Sequence, residues 1–248
     1  MDEMSNRAYE DELLAAIYDD DNPDGPDHDY FRELARNLSA TRITDLGCGT
    51  GMLTATLTGP GRVVVGIDPA ATMLERAEAR PGGDDVEWRL GTSEMIEPDS
   101  SDLIVMSGNV AMHILGDSWA ASLAAISRGL REGGVLAFES RNPLARAWRN
   151  WNSPAQTRTT AVGQLRETTS VSEPDDDGII TMDCVNEFLD VDRTINVSQR
   201  LQFRTFNTIR DDLDAAGMRV RNVWRNWDHT PFSGSENEPL LIVEAAKV

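Results

Sequence analysis

Ile43-Thr44-Asp45-Leu46-Gly47-Cys48-Gly49-Thr50-Gly51 is the stretch around which the chain is organised. A short apolar run ends in an acid, and a glycine-rich turn follows. Met52-Leu53-Thr54-Ala55-Thr56-Leu57 then reads as the first turns of a helix. The pattern is strand, tight turn, helix, with glycines where the backbone takes unusual dihedrals and approaches a ligand closely. Taken alone, such a turn is equally a packing corner. The later motifs, at the distances expected of further βα units, favour a ligand.

The glycine spacing narrows that ligand. Gly47, Gly49 and Gly51 give G-x-G-x-G, whereas a dinucleotide fold uses G-x-G-x-x-G and here has Met52 in its third slot. A phosphate loop needs a lysine, and none is near. Asp45, two residues before the first glycine, adds a like charge to a pyrophosphate but suits a ligand with an ammonium and a sulfonium. Asp45 through Gly51 closely resembles motif I of the class I S-adenosylmethionine-dependent methyltransferases. The resemblance implies that Asp45, Gly47, Cys48, Gly49 and Gly51 border the cofactor.

Three further stretches extend the resemblance. Val63-Val64-Val65-Gly66-Ile67-Asp68 ends in an acid 17 residues beyond Gly51. A carboxylate at the tip of the second strand accepts hydrogen bonds from ribose hydroxyls; the competing role for Asp68 is the N-cap of a helix from Ala70. Pro69 and Met73 belong to the family's continuation after that acid. After the third strand, Thr92 and Ser93 stand where the family commonly has an acid facing the adenine amino group. Ser93 is also a candidate helix cap. After the fourth strand, Ser107-Gly108-Asn109 falls beside the cofactor's methionine part, and His113 follows. His113 and Glu139 are the candidate catalytic residues, for an acceptor that loses a proton. Tyr18, His113, Glu139 and Arg141 are the candidate acceptor contacts. No metal-binding motif stands out: the aspartates of 19–24 lack the Gly and Glu positions of a calcium loop.

The expected fold is α/β: a Rossmann-like, seven-stranded, mostly parallel sheet with helices on both faces. Strands are expected at about 43–46, 62–67, 86–90, 102–107 and 134–140, with helices at about 51–58, 70–80, 93–96 and 117–130. Residues 1–40 form an N-terminal helical cap, with Tyr9, Leu13, Leu14 and Ile17 on one stripe and Phe31, Leu34, Ala35 and Leu38 on another. The resemblance implies that this cap covers the cofactor, with Tyr18 and Tyr30 available to line it. Residues 41–143 and 206–248 form the core, which closes with a helix near 207–216 and strands at 218–227 and 240–245, the last of them antiparallel. Residues 144–205 form a β-rich insertion with a polar loop after Trp151. Strands run from Gln164, from Ile179 and through Ile195, Val197, Leu201 and Phe203. Cap and insertion together are expected to roof an acceptor pocket floored by Ser107, Asn109, His113, Glu139 and Arg141. The rival role for the insertion is a homodimer interface.

With 248 residues and 40% hydrophobic content, one α/β domain with an insertion is expected. The net charge of −19 disfavours nucleic acid and anionic membrane. Of the 23 basic residues only Lys247 is a lysine. Cys48 and Cys184 form no disulfide framework. No signal-peptide pattern or long apolar run appears, so a cytoplasmic location is expected. The expected function is methyl transfer from S-adenosylmethionine to a small molecule by in-line displacement. The alternatives are a non-catalytic module that binds the cofactor, an NAD-linked oxidoreductase and an RNA methyltransferase.

Overall fold

The computed structural model describes residues 9–248. Residues 1–8, with which the expected N-terminal cap begins, lie outside the described residues. Helix α1 (Glu12–Asp21) starts where the Asp11 carboxylate accepts from the Leu13 and Leu14 amides. Pro23, Gly25 and Pro26 then break the chain, and α2 (Pro26–Asn37) begins with proline at its first position. The core follows as β1 (Arg42–Leu46), β2 (Val63–Asp68), α3 (Ala71–Glu78), β3 (Glu87–Leu90), β4 (Ser101–Met106), α4 (Val110–His113), α5 (Gly116–Gly129) and β5 (Leu130–Arg141). Next come β6 (Ser153–Thr160), β7 (Gly163–Val171), β8 (Ile179–Phe188) and β9 (Arg193–Gln202), then α6 (Phe206–Ala215), β10 (Met218–Trp224) and β11 (Leu240–Lys247).

The α-helix expected over 51–58 is only a 3-10 turn, Thr54–Leu57. Its threonines account for this. Thr54 donates to Asp45, and Thr56 and Thr58 donate to the carbonyls of Leu53 and Ala55, so local bonds compete with a helix. Gly59-Pro60-Gly61 then leaves no room to continue.

The seven-stranded sheet has the order β10-β11-β5-β4-β1-β2-β3. β3, β2, β1, β4 and β5 are mutually parallel, while β11 is antiparallel to both β5 and β10. Registers such as Leu46 with Ile67 and Met106 with Phe138 bring the carboxyl ends of β1, β2, β4 and β5 to one edge. One apolar cluster, including Ile104, Leu123, Phe138 and Leu213, fills the face under α5 and α6. Another, including Phe31, Leu34, Val64 and Val105, fills the face under α2. β4 is buried along both faces, as its unbroken Leu103-Ile104-Val105-Met106 run requires.

A second, antiparallel sheet runs β6-β7-β8-β9. Its first strand occupies what reads as a polar loop. Ser153-Pro154-Ala155-Gln156-Thr157-Arg158-Thr159-Thr160 carries no apolar alternation because it is an edge strand with neither face in the core. Ile180 and Leu201 pack with Met112, Trp148 and Phe203, and Leu165 and Phe188 pack on Ile17 of α1. Arg204, just after β9, is buried. Its guanidinium donates to the carbonyls of Ala111 and Ile114 and lies 4.5 Å over the Trp119 ring. Among the described residues no helix is long and apolar enough to cross a membrane.

Candidate active site

The three motif glycines meet different demands. A Cβ on Gly47 would lie 2.5 Å from Val110, and one on Gly51 would lie 2.5 Å from Trp88 and 2.9 Å from Ala77, so both are close-packed against protein. At Gly49, with φ +54°, the nearest atom to an added Cβ is Cε1 of Tyr18 at 3.7 Å. Gly49 therefore faces the space that α1 covers. The Gly47 and Cys48 amides donate to the Ile67 carbonyl at 2.7 and 3.1 Å, which fixes the turn to the tip of β2.

Two carboxylates flank this turn. Asp45 is fully buried; Thr54 Oγ1 donates to one oxygen at 2.6 Å, and the other has no partner among the described residues. Burial pushes its pKa up to about 6. Asp68 is buried at the end of β2 and accepts from the Gly49 amide at 2.8 Å and the Ala70 amide at 2.9 Å. Its pKa is also raised by burial. It does not cap α3, whose N-cap is Ala70 without a side-chain bond.

Four cavities run along the carboxyl edge. The first, about 350 Å³, lies between Leu46, Pro69, Thr92, Ser93 and Val110 and the face of α5. Both hydroxyls of the third motif are engaged there. Ser93 donates to Ser122 at 3.0 Å, and Thr92 donates to the Glu94 carboxylate. The second is a chamber of about 40 Å³ among Gly47, Gly49, Asp68, Pro69, Ser107, Gly108, Tyr9, Tyr18 and His113. The third, about 310 Å³, is bordered by Gly47, Cys48, Ser107, Gly108, Asn109, Glu139 and Arg141. The fourth, about 440 Å³, is enclosed by α1, α4 and the second sheet and includes Tyr18, Asn109, His113, Arg141, Trp151, Met182 and Gln199. Of the five residues expected to floor the acceptor pocket, Asn109, His113 and Arg141 line this fourth cavity, while Ser107 and Glu139 line the third. Met73 and Gly51 line none of the four. Met73 instead packs with Ala15, Ala70, Tyr9 and Tyr18. Tyr30 also lines none of them; it is buried on the inner face of α2 and donates to Glu244 at 2.6 Å.

Glu139 is fully buried. The Asn109 amide donates to its Oε1 at 2.5 Å, and Oε2 has no partner among the described residues. Burial pushes its pKa up to about 7. Arg141 Nε donates to Asn109 Oδ1 at 3.0 Å, and Asn109 takes a left-handed φ of 64° to face both. His113 Nδ1 is likewise buried without a partner among the described residues, and burial pushes the imidazole pKa down to about 4. Its Nε2 lies 3.4 Å from the Tyr9 hydroxyl, which accepts from Gln199 Nε2 at 3.0 Å. These two partners are not apparent from sequence patterning. Tyr9 reads as one member of an apolar stripe. Gln199 left a signal: it occupies an inward position in the Ile195, Val197, Leu201 alternation, where a polar residue needs a reason.

The residues present fit S-adenosylmethionine. Asp45 and Glu139 each hold an unpaired, buried carboxylate oxygen beside the glycine turn, and a ligand cation would satisfy either. Residues 44–138 match the family described as a methyltransferase domain. The chain is 32% identical over 118 residues to a ubiquinone biosynthesis O-methyltransferase of Bradyrhizobium sp., a match covering 47% of this chain and 44% of that protein. It thus spans less than half the length of that relative. It is 26% identical over 213 residues to the cypemycin N-terminal methyltransferase of a Streptomyces species, across 84% of this chain and 85% of that one. Among solved structures, an S-adenosylmethionine-dependent methyltransferase from Clostridium acetobutylicum superposes with a TM-score of 0.78 at 15% identity, over 95% of this chain and 98% of that one. The glycine turn and the acid at the tip of β2 both lie inside the stretch, residues 44–138, that matches the methyltransferase-domain family, and the fold around it is that of the solved S-adenosylmethionine-dependent methyltransferase.

Proposed function

We propose that the chain transfers a methyl group from S-adenosylmethionine to a small-molecule acceptor held in the 440 Å³ cavity under the second sheet. The observation that carries this reading is the juxtaposition of that cavity with the glycine-turn chamber: Tyr9, Tyr18, Gly108 and His113 line both. The bound cofactor supplies a methyl group made electrophilic by positively charged sulfur. The protein's part is to align the two partners and exclude water. Asp68 takes the ribose hydroxyls by exchanging its bond to the Gly49 amide. Asp45 and Glu139 face the cofactor's ammonium side, and Pro69, Thr92 and Ser93 border the adenine. Tyr18, Asn109, His113 and Arg141 contact the acceptor.

In this reading residues 1–40 and 144–205 are the roof of the site, and the region between them, with 206–248, is the catalytic core. The extent of the matches supports this reading. The O-methyltransferase match covers 47% of the chain, while the match to the enzyme named for an N-terminal acceptor covers 84% and takes in the insertion. The test is calorimetric titration with S-adenosylmethionine and its homocysteine product, followed by an assay for S-adenosylhomocysteine with varied acceptors. Asp68→Ala is expected to weaken cofactor binding by about 1.5–3 kcal/mol, as for bonds to a charged group. Unchanged affinity in a folded variant would remove Asp68 from the site, and binding without product formation would leave a cofactor-binding module.

A further inference from the structure

Resting on that function, one question is which acceptor chemistry the neck between the two cavities serves. Three aromatic rings line it. Tyr9 stands edge-on to Tyr18 at 6.1 Å and to His113 at 6.0 Å. We propose that the acceptor is an amine methylated on nitrogen, and that Tyr9, Tyr18 and His113 form an uncharged aromatic collar that carries the positive charge as it passes from sulfur to nitrogen.

The groups at the neck suit no hydroxyl acceptor. Such an acceptor must give up a proton near the transferring methyl. Among the described residues the one carboxylate bordering the chamber, Asp68, already has each oxygen on a backbone amide. Burial holds the Tyr9 phenol protonated and pushes the His113 imidazole down to about 4. A phenol proton, at about 10, would therefore have to move uphill to a very weak base. A neutral amine needs no base in the step. Its lone pair forms the N–C bond while the S–C electron pair returns to sulfur, and the resulting ammonium afterwards gives a proton to water. One positive charge is present throughout, and ring faces attract such a charge without being altered by it. The same burial that depresses His113 favours the neutral, nucleophilic form of an amine that enters.

The test uses tetramethylammonium as the probe and tert-butyl alcohol as a neutral control of similar shape, each titrated by NMR into the whole protein loaded with S-adenosylhomocysteine. Tetramethylammonium is expected to bind and the alcohol is not. Tyr18→Phe should bind the probe as the native protein does, and Tyr18→Leu about tenfold more weakly, within the range of a cation–ring contact. Equal binding of the two probes, or an unaffected Tyr18→Leu, overturns the collar. In a parallel assay with acceptor pairs of one skeleton, the amine is expected to be methylated in preference to the alcohol. The reverse preference overturns this inference and leaves the methyltransferase function standing. Failure of the native protein to bind S-adenosylhomocysteine removes that function itself.

Discussion

Glu139 sits at the end of β5 with one oxygen on the Asn109 amide and the other unpaired, and burial has pushed its pKa up to about 7. In an unfolded chain a glutamate titrates near 4.3. The folded, ligand-free protein therefore holds this proton more tightly than the unfolded one. The associated stability is fully present below about pH 4.3 and is lost as pH rises through about 7. Glu139→Gln removes the titration while keeping an oxygen for the Asn109 amide. Relative to native, the variant is expected to gain on the order of 2 kcal/mol between pH 4 and pH 8. Urea midpoints measured across that interval check it, and a constant gap between the two proteins would refute a buried, raised Glu139. Single residues were legible in sequence where a motif fixes them: Gly49 and Asp68 line the small chamber, whereas Asp45 lies buried behind the turn and lines none of the four cavities. His113 could be placed after β4, but its tether could not, because Tyr9 and Gln199 reach it from elements far apart in the chain.

At the scale of elements, α1 is held on the core by a small polar clamp. Thr50 Oγ1 donates to Asp19 at 2.5 Å, and Arg80 donates to Asp19 at 2.5 Å and to the Thr50 carbonyl at 2.8 Å. The clamp joins α1 to the glycine turn and to the end of the β2–α3 unit. Its Arg80–Asp19 ion pair is partly exposed, so the pair's share of global stability is small, roughly 0–1 kcal/mol. Its effect on local opening is larger. Asp19→Ala is expected to leave the urea midpoint nearly unchanged while speeding proteolysis near Asn22 and Gly25 and hastening release of bound cofactor. Equal proteolysis and release rates in the two proteins would show that α1 is held by its apolar face alone. The helices and strands legible in sequence were those with strong periodicity or a continuous apolar run. β6 was missed because an exposed edge strand has no apolar signature, and the helix expected after Gly51 was lost to threonine side-chain bonding.

For the whole molecule, the −19 charge matters most. Many surface acids are paired with arginine, as in Arg32 with Asp24 and Arg166 with Glu187, but the excess repels itself. Salt screens this repulsion over about 10 Å at 0.1 M. The melting temperature is expected to rise when sodium chloride is increased from about 0.05 to about 0.5 M. A fall would mean that the ion pairs outweigh the repulsion. The sheet topology was legible at this scale because its βα units follow one another in sequence, whereas the shape of the 440 Å³ cavity depends on three separated segments meeting. The position of β11 has one more consequence. It lies between β5 and β10, with Leu241, Ile242, Val243 and Ala245 fully buried, yet it is made after both. As the chain leaves the ribosome, α6 and β10 emerge with no strand to seat them. The open flank of β5 then stays exposed to chaperones and to other nascent chains until Leu240–Lys247 slots in, so the order of synthesis makes the last strand the one that closes the fold.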